Sequence, residues 1–189
     1  MTPIIQAFAP SPSPPVLSPI EGTLGTEISI TGSGFGARKG KIYIEGFATK
    51  IVGWEDATIT CFVNRVMPAG LHNVNIQPQS YRTVPPQLLA SAFTIKNPEI
   101  DPLSIDHGSP GNEITITGRF FATRKGKVYF EYGKNGQIRN KSSKVRSWTM
   151  DPLTGASDII FFVPKGISGQ FPLKIMNQIG TAETTFTIS

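Results

Sequence analysis

The sequence holds a single cysteine, Cys61, in 189 residues. No intrachain disulfide can form, so stability has to come from burial rather than cross-linking. No apolar run approaches the roughly 18–20 residues of a membrane span, and no membrane insertion is expected. The N-terminus lacks the basic start and apolar stretch of a signal peptide, as a piece cut from a longer exported protein would too. Charged residues are scarce at 16% of the chain, against roughly 25% in ordinary globular proteins. Of the two histidines, His72 and His107, neither has a Cys, Asp or Glu at ligand spacing, so no metal site is expected. No Ser–His–acid trio and no close carboxylate pair stands out. The reading is therefore of a non-enzyme with no catalytic residue and no cofactor. Helical periodicity is missing as well: no stretch of ten or more residues carries an apolar 3.6-residue period.

What is abundant is turn chemistry, with 19 glycines and 16 prolines, and an apolar period of two. Ile28 and Ile30 alternate with Glu27, Ser29 and Thr31, and Ile114 and Ile116 do the same, which points one strand face inward and the other to water. Further strands are expected over 41–45, 58–63, 73–76 and 92–95, with counterparts over 127–131, 158–163, 173–176 and 184–188. About seven short strands per ~85 residues is the pattern of an antiparallel sandwich.

The strands recur because the chain is duplicated. Gly25 to Gly46 lines up with Gly111 to Tyr132 at a constant offset of 86, and Trp54 matches Trp148, Ile59 to Val63 matches Ile159 to Val163, and Phe93 matches Phe186. Two copies separated by Lys96-Asn97-Pro98 make a pair of domains rather than a solenoid. The expected division is a Pro-rich linker over 1–14, stiffened by the run at 9–15, one domain over 15–97 and another over 98–189. The short junction leaves little slack, so the sandwiches are expected end to end with limited relative motion.

Both units resemble IPT/TIG domains. The likeness rests on Pro15-Val16-Leu17-Ser18-Pro19 leading into Gly22, Gly25-Thr26 and Ile28-Ser29-Ile30-Thr31-Gly32-Ser33-Gly34-Phe35-Gly36. In the second unit it rests on Gly108, Gly111, Ile114, Ile116, Thr117-Gly118 and Phe121. That unit departs at Arg119-Phe120, where the first has Ser33-Gly34. The resemblance implies an all-β fold, two tandem Ig-like antiparallel β-sandwiches of the E-set, IPT/TIG type. It implies function weakly, because this fold hosts spacers, receptor modules, starch-binding accessories and DNA-binding domains.

Several residues invite a functional reading. The glycine cluster at 32–36 precedes a strand rather than a helix and reads as a tight turn, not a phosphate loop. Cys61, on one strand face with Ile59 and Val63 and opposite Phe161 in the repeat, reads as a small core residue. Trp54 and Trp148, at matching positions, read as packing over their own sandwiches rather than as sugar platforms.

Two features exceed what the fold requires. One is a basic stripe: Arg38, Lys39 and Lys41, their copies Arg124, Lys125 and Lys127, and an insertion with Lys134, Arg139, Lys141, Lys144 and Arg146, with no acid from Tyr132 to Met150. It reads first as solvated loop and second as a surface for an anionic partner, an acidic polysaccharide among them. The other is a loop from Gln77 to Ala90 exposing Tyr81, Val84, Leu88 and Leu89, expected to touch the neighbouring sandwich or a partner.

The formal net charge of +5 divides into seven basic against five acidic residues over 1–97 and eleven against eight over 98–189. Neither half has the basic excess of a nucleic-acid binder. The function expected is a spacer and protein-interaction module of a larger extracellular or cell-surface protein, its partners other domains or subunits. A carbohydrate-binding accessory comes second and a nucleic-acid-binding pair third.

Overall fold

The computed structural model describes residues 14–79 and 86–189. Apart from Pro14, the expected linker lies outside the described residues, as do Tyr81 and Val84. The first unit contains β1 (Val16–Ser18), β2 (Glu21–Gly22), β3 (Glu27–Thr31), β4 (Lys41–Ile44), β5 (Phe47–Ala48), β6 (Lys50–Trp54), β7 (Thr58–Phe62), β8 (Gly70–Gln77) and β9 (Gln87–Ile95). The second contains β10 (Glu99–Ile100), β11 (His107–Gly108), β12 (Glu113–Arg119), β13 (Lys127–Lys134), β14 (Gln137–Ser142), β15 (Val145–Met150), β16 (Ala156–Phe162), β17 (Gly169–Met176) and β18 (Thr181–Ile188).

Each unit is two sheets face to face. In the first the orders are β1-β3-β7-β6 and β2-β9-β8-β4-β5; in the second they are β10-β12-β16-β15 and β11-β18-β17-β13-β14. The two topologies correspond strand for strand. Pairing is antiparallel except for β2 with β9 and β11 with β18. This is the layer plan of an immunoglobulin sandwich, with two strands beyond the seven expected. They arise because the opening segment splits between the sheets and because a short hairpin partner flanks β4 and β13.

The cores follow the alternation. Ile28, Ile30, Ile42, Ile44, Ile59, Val74, Ile76 and Phe93 fill the first, and Ile114, Ile116, Val128, Phe130, Phe161, Leu173, Ile175 and Phe186 the second. Phe130, Phe161 and Phe186 meet with ring centroids 5.7–6.4 Å apart, a tilted arrangement favoured by the ring quadrupole. Cys61 stands where the second core has Phe161 and is fully buried. Burial pushes its thiol up to about 11, so the nucleophilic thiolate is absent at neutral pH. Native protein at pH 8 should not react with Ellman's reagent, whereas denatured protein should release one equivalent. Prompt labelling of the folded chain would contradict this placement.

Two expectations need correction. The basic insertion is not a loop. β13 and β14 form a hairpin closed by Asn135 and Gly136, both at positive φ, as a type I′ turn requires. β15 then forms the edge of the facing sheet. Likewise, Leu88 and Leu89 belong to β9 rather than to a loop. Leu89 packs on its own core and Leu88 lies exposed on the outer face, so neither reaches the other sandwich.

Candidate functional site at the domain junction and along the basic edge

The conspicuous departure between the repeats sits where the two sandwiches meet. Gly34 and Gly36 of the first unit have φ of 77° and 79°; their counterparts Phe120 and Ala122 hold the same left-handed conformation, at 60° and 70°. For residues with a Cβ this conformation costs on the order of 1–2 kcal/mol each. Phe120 is nonetheless 1% exposed and belongs to neither sandwich core. Its ring lies against Gly155, where a Cβ would come within 2.7 Å of it. The Arg119 guanidinium stacks 4.6 Å from the ring centroid, and the Lys96 ammonium of the linker is 5.9 Å away. Glu21 of the first unit reaches both cations, at 3.7 Å to Lys96 and 3.8 Å to Arg119.

Main-chain bonds cross the same junction. Glu27 N–H donates to Pro152 O at 2.9 Å and Thr123 N–H to Leu24 O at 3.1 Å. Gly25 admits the Thr123 side chain, whose Oγ1 would lie 2.2 Å from a Cβ at that position. The buried amide of Asn177 donates to Phe120 O, while its oxygen accepts from Ile179 and Gly180 N–H. Ile179, held by that turn, packs onto the first unit's core. Thus the top of the second sandwich is shaped to receive the bottom of the first. Because the ion pairs here are partly exposed, the apolar and main-chain contacts carry the attachment.

The repeated Arg-Lys-Gly-Lys motif is partly structural. Lys39 Nζ donates to Ile51 O at 3.0 Å and Lys125 Nζ to Val145 O at 2.9 Å. Both carbonyls lie where the pairing register shifts, between Ile51 and Gly53 and between Val145 and Ser147. Each lysine thus caps a carbonyl beside a bulge. Gly40 and Gly126 lie so close to the Gln77 and Met176 carbonyls and to the Trp54 and Trp148 rings that no Cβ fits. Those indoles are half-buried against Phe35 and Phe121 and donate to Gly36 O and Ala122 O. They provide no free stacking platform.

The rest of the stripe divides. Arg146 is bonded to Glu113, which holds its guanidinium above the usual arginine range, and Lys144 lies over the Phe162 ring. Arg139 and Lys141 sit on the edge strand β14, where basic side chains also discourage edge-to-edge pairing. Arg38, Lys41, Arg124 and Lys127 are exposed and form no ion pair among the described residues. One cation escaped the sequence reading. Lys50 shares a cleft of about 320 Å³ with Lys39 and Lys41 between β4-β5 and β6, and its counterpart across the longer hairpin is Lys144.

The two outer faces of the five-stranded sheets differ in chemistry. In the second unit Lys174 lies 2.7 Å from Glu131 and 3.2 Å from Glu183, and those carboxylates, Glu131 foremost, hold its ammonium above the ordinary lysine range. The first unit has Asn75 instead, in a groove of about 400 Å³ with Tyr43, Glu45, Asn73, Gln77 and Leu88. The buried Oδ1 of Asn75 has no hydrogen-bond partner.

Comparison with known proteins agrees with this architecture. Residues 3–91 match the family model described as IPT/TIG domain. No curated protein matches the chain. Among solved structures, the Plexin A4 full extracellular region is similar at 15% identity, with 98% of this chain and 19% of that one covered and a TM-score of 0.43. The surface glycan-binding protein PbSGBP-B from Prevotella bryantii is similar at 15% identity, with 93% and 42% covered and a TM-score of 0.38. A Bacteroides ovatus SGBP-B from a mixed-linkage glucan utilization locus, in complex with a heptasaccharide, is similar at 14%, with 97% and 47% covered and a TM-score of 0.37. The chain spans less than half the length of each. The family likeness thus rests on residues 3–91, which are similar to the IPT/TIG domain.

Proposed function

We propose that this chain is a non-catalytic spacer and protein-interaction module of a larger extracellular or cell-surface assembly, holding its two sandwiches at one fixed angle. The observation that carries the reading is Phe120, which occupies a strained left-handed conformation in order to fill the junction where the other repeat has glycine. A flexible tether needs no such wedge. The likeness of residues 3–91 to the IPT/TIG domain agrees with this, as does the crossing of main-chain bonds between domains. Small-angle X-ray scattering of the wild type should fit a single extended arrangement, and inserting two glycines between Asn97 and Pro98 should broaden it to an ensemble. A wild-type profile that already requires many interdomain angles would refute the spacer.

A carbohydrate-binding accessory is the second reading, favoured by the amide-rich groove of the first unit, which Glu45 also lines, and the unpartnered Asn75 oxygen within it. Amides and a tyrosine beside a leucine suit a neutral sugar, which presents hydroxyls along its rim and C–H faces. Tyr43→Ala and Asn75→Ala should then each abolish retention on a neutral polysaccharide matrix. Wild type that passes through such matrices unretarded would remove this reading.

A further inference from the structure

We propose that one edge of both sandwiches forms a continuous basic track for a linear acidic polysaccharide. Two copies of a cationic motif are useful to one extended ligand only if they face the same side, and the sequence leaves that rotation open. The structure settles it through Lys50. This lysine lines the cleft it shares with Lys39 and Lys41, and it also lines a second cleft of about 370 Å³ with Thr123 and Pro152 of the other domain. Thr123 immediately precedes Arg124, and its N–H is bonded to Leu24 O across the junction. The first unit's cations therefore run through Lys50 to Thr123 and the Arg124–Lys127 turn that follows it.

Edge protection does not account for the whole arrangement. Arg38 and Arg124 lie outside any strand, between β3 and β4 and between β12 and β13. Neither do the roles of Lys39 and Lys125 as caps, because Lys41 and Lys127 donate to nothing comparable among the described residues. What remains is a row of exposed cations, of which Arg38, Lys41, Arg124 and Lys127 form no ion pair among the described residues, and their field attracts an anion over several ångströms.

The charge density selects the ligand class. Duplex DNA presents a phosphate about every 1.7 Å of axis and is met by strongly basic surfaces, whereas this chain carries +5 in all. Single-stranded nucleic acid is gripped by stacked aromatic rings, and both tryptophans are turned into their own sandwiches. A polysaccharide with a sulfate or carboxylate on some of its sugars matches a sparse row. The proposal rests on the fixed junction, because the track is continuous only while the domains keep their alignment.

The test uses the full chain, heparin fragments too short or long enough to span both domains, and duplex DNA as a competing polyanion. Lys41→Gln with Lys50→Gln, and Arg124→Gln with Lys127→Gln, should each weaken binding of long fragments roughly fivefold. The four together should abolish it, and the salt dependence should flatten in step. Short fragments should bind roughly tenfold or more weakly than long ones, by loss of the second contact. Phe120→Gly should erase that length advantage. If the quadruple variant elutes from heparin at the wild-type salt concentration, the track is wrong whatever Phe120→Gly does. If the charge variants lose binding while Phe120→Gly keeps the length advantage, the track stands and the fixed junction fails. Tighter retention on DNA than on heparin would overturn the choice of ligand class.

Discussion

Gly126→Ala should destabilise the second sandwich by about 3 kcal/mol, the upper range for a side chain forced into a packed site. A Cβ there would lie 2.0 Å from the Met176 carbonyl oxygen and 2.7 Å from the Trp148 ring. The first obstacle is backbone in a paired strand and the second is a ring pinned by its own hydrogen bond to Ala122 O, so neither can swing aside. For a domain of this size, 3 kcal/mol corresponds to a fall of roughly 12–24 °C in that domain's midpoint. Gly40→Ala should have the same effect on the first sandwich, because the Gln77 oxygen and Trp54 ring stand in the same relation to it. Gly133→Ala is the control, since nothing lies within 4 Å of a Cβ there. Its midpoint should move by no more than a surface substitution does. Two separate calorimetric transitions would show which domain each variant affects.

At Phe120 the expected order of variants is inverted from the usual one. Alanine normally stabilises relative to glycine, because glycine gives up more backbone freedom on folding. Here the residue must hold φ of 60°, so Phe120→Ala keeps the strain and loses the ring, whereas Phe120→Gly loses both. Phe120→Gly should therefore be more stable than Phe120→Ala by about 1 kcal/mol. Both should leave each sandwich folded and loosen the junction, because the ring belongs to neither core. Equal stability of the two, or alanine the better, would mean that the left-handed conformation relaxes once the ring is gone.

The readability of these features in the sequence follows from what produces them. The strands with alternating apolar residues, such as Glu27–Thr31 and Glu113–Arg119, are legible because one face is buried and the other is not. β14 is not, because its residues Gln137–Ser142 are almost all exposed and an edge strand that buries nothing carries no alternation. β1, β2, β10 and β11 are two or three residues long, too short for a period to register.

The same limits apply to the candidate surfaces. The Arg-Lys-Gly-Lys repeat is visible as letters, but that Lys39 and Lys125 cap bulges depends on a register shift no composition encodes. Lys50 hides because the longer hairpin of the second unit changes the offset between repeats: 86 at the motif becomes 94 at Trp54 and Trp148, and only that second offset pairs Lys50 with Lys144. Arg119-Phe120 stands out as a mismatch between repeats. Its meaning emerges only when the mismatch proves to lie between the domains.

The most direct measurement of a fixed junction is the alignment of both domains in solution by residual dipolar couplings. Amide couplings from the strands of each sandwich yield an alignment tensor for that sandwich. A rigid pair should give two tensors of equal magnitude and common orientation in the wild type, with Phe120→Gly reducing the magnitude for one domain relative to the other. Unequal magnitudes in the wild type, unchanged in Phe120→Gly, would show that the sandwiches move independently and that Phe120 fixes nothing.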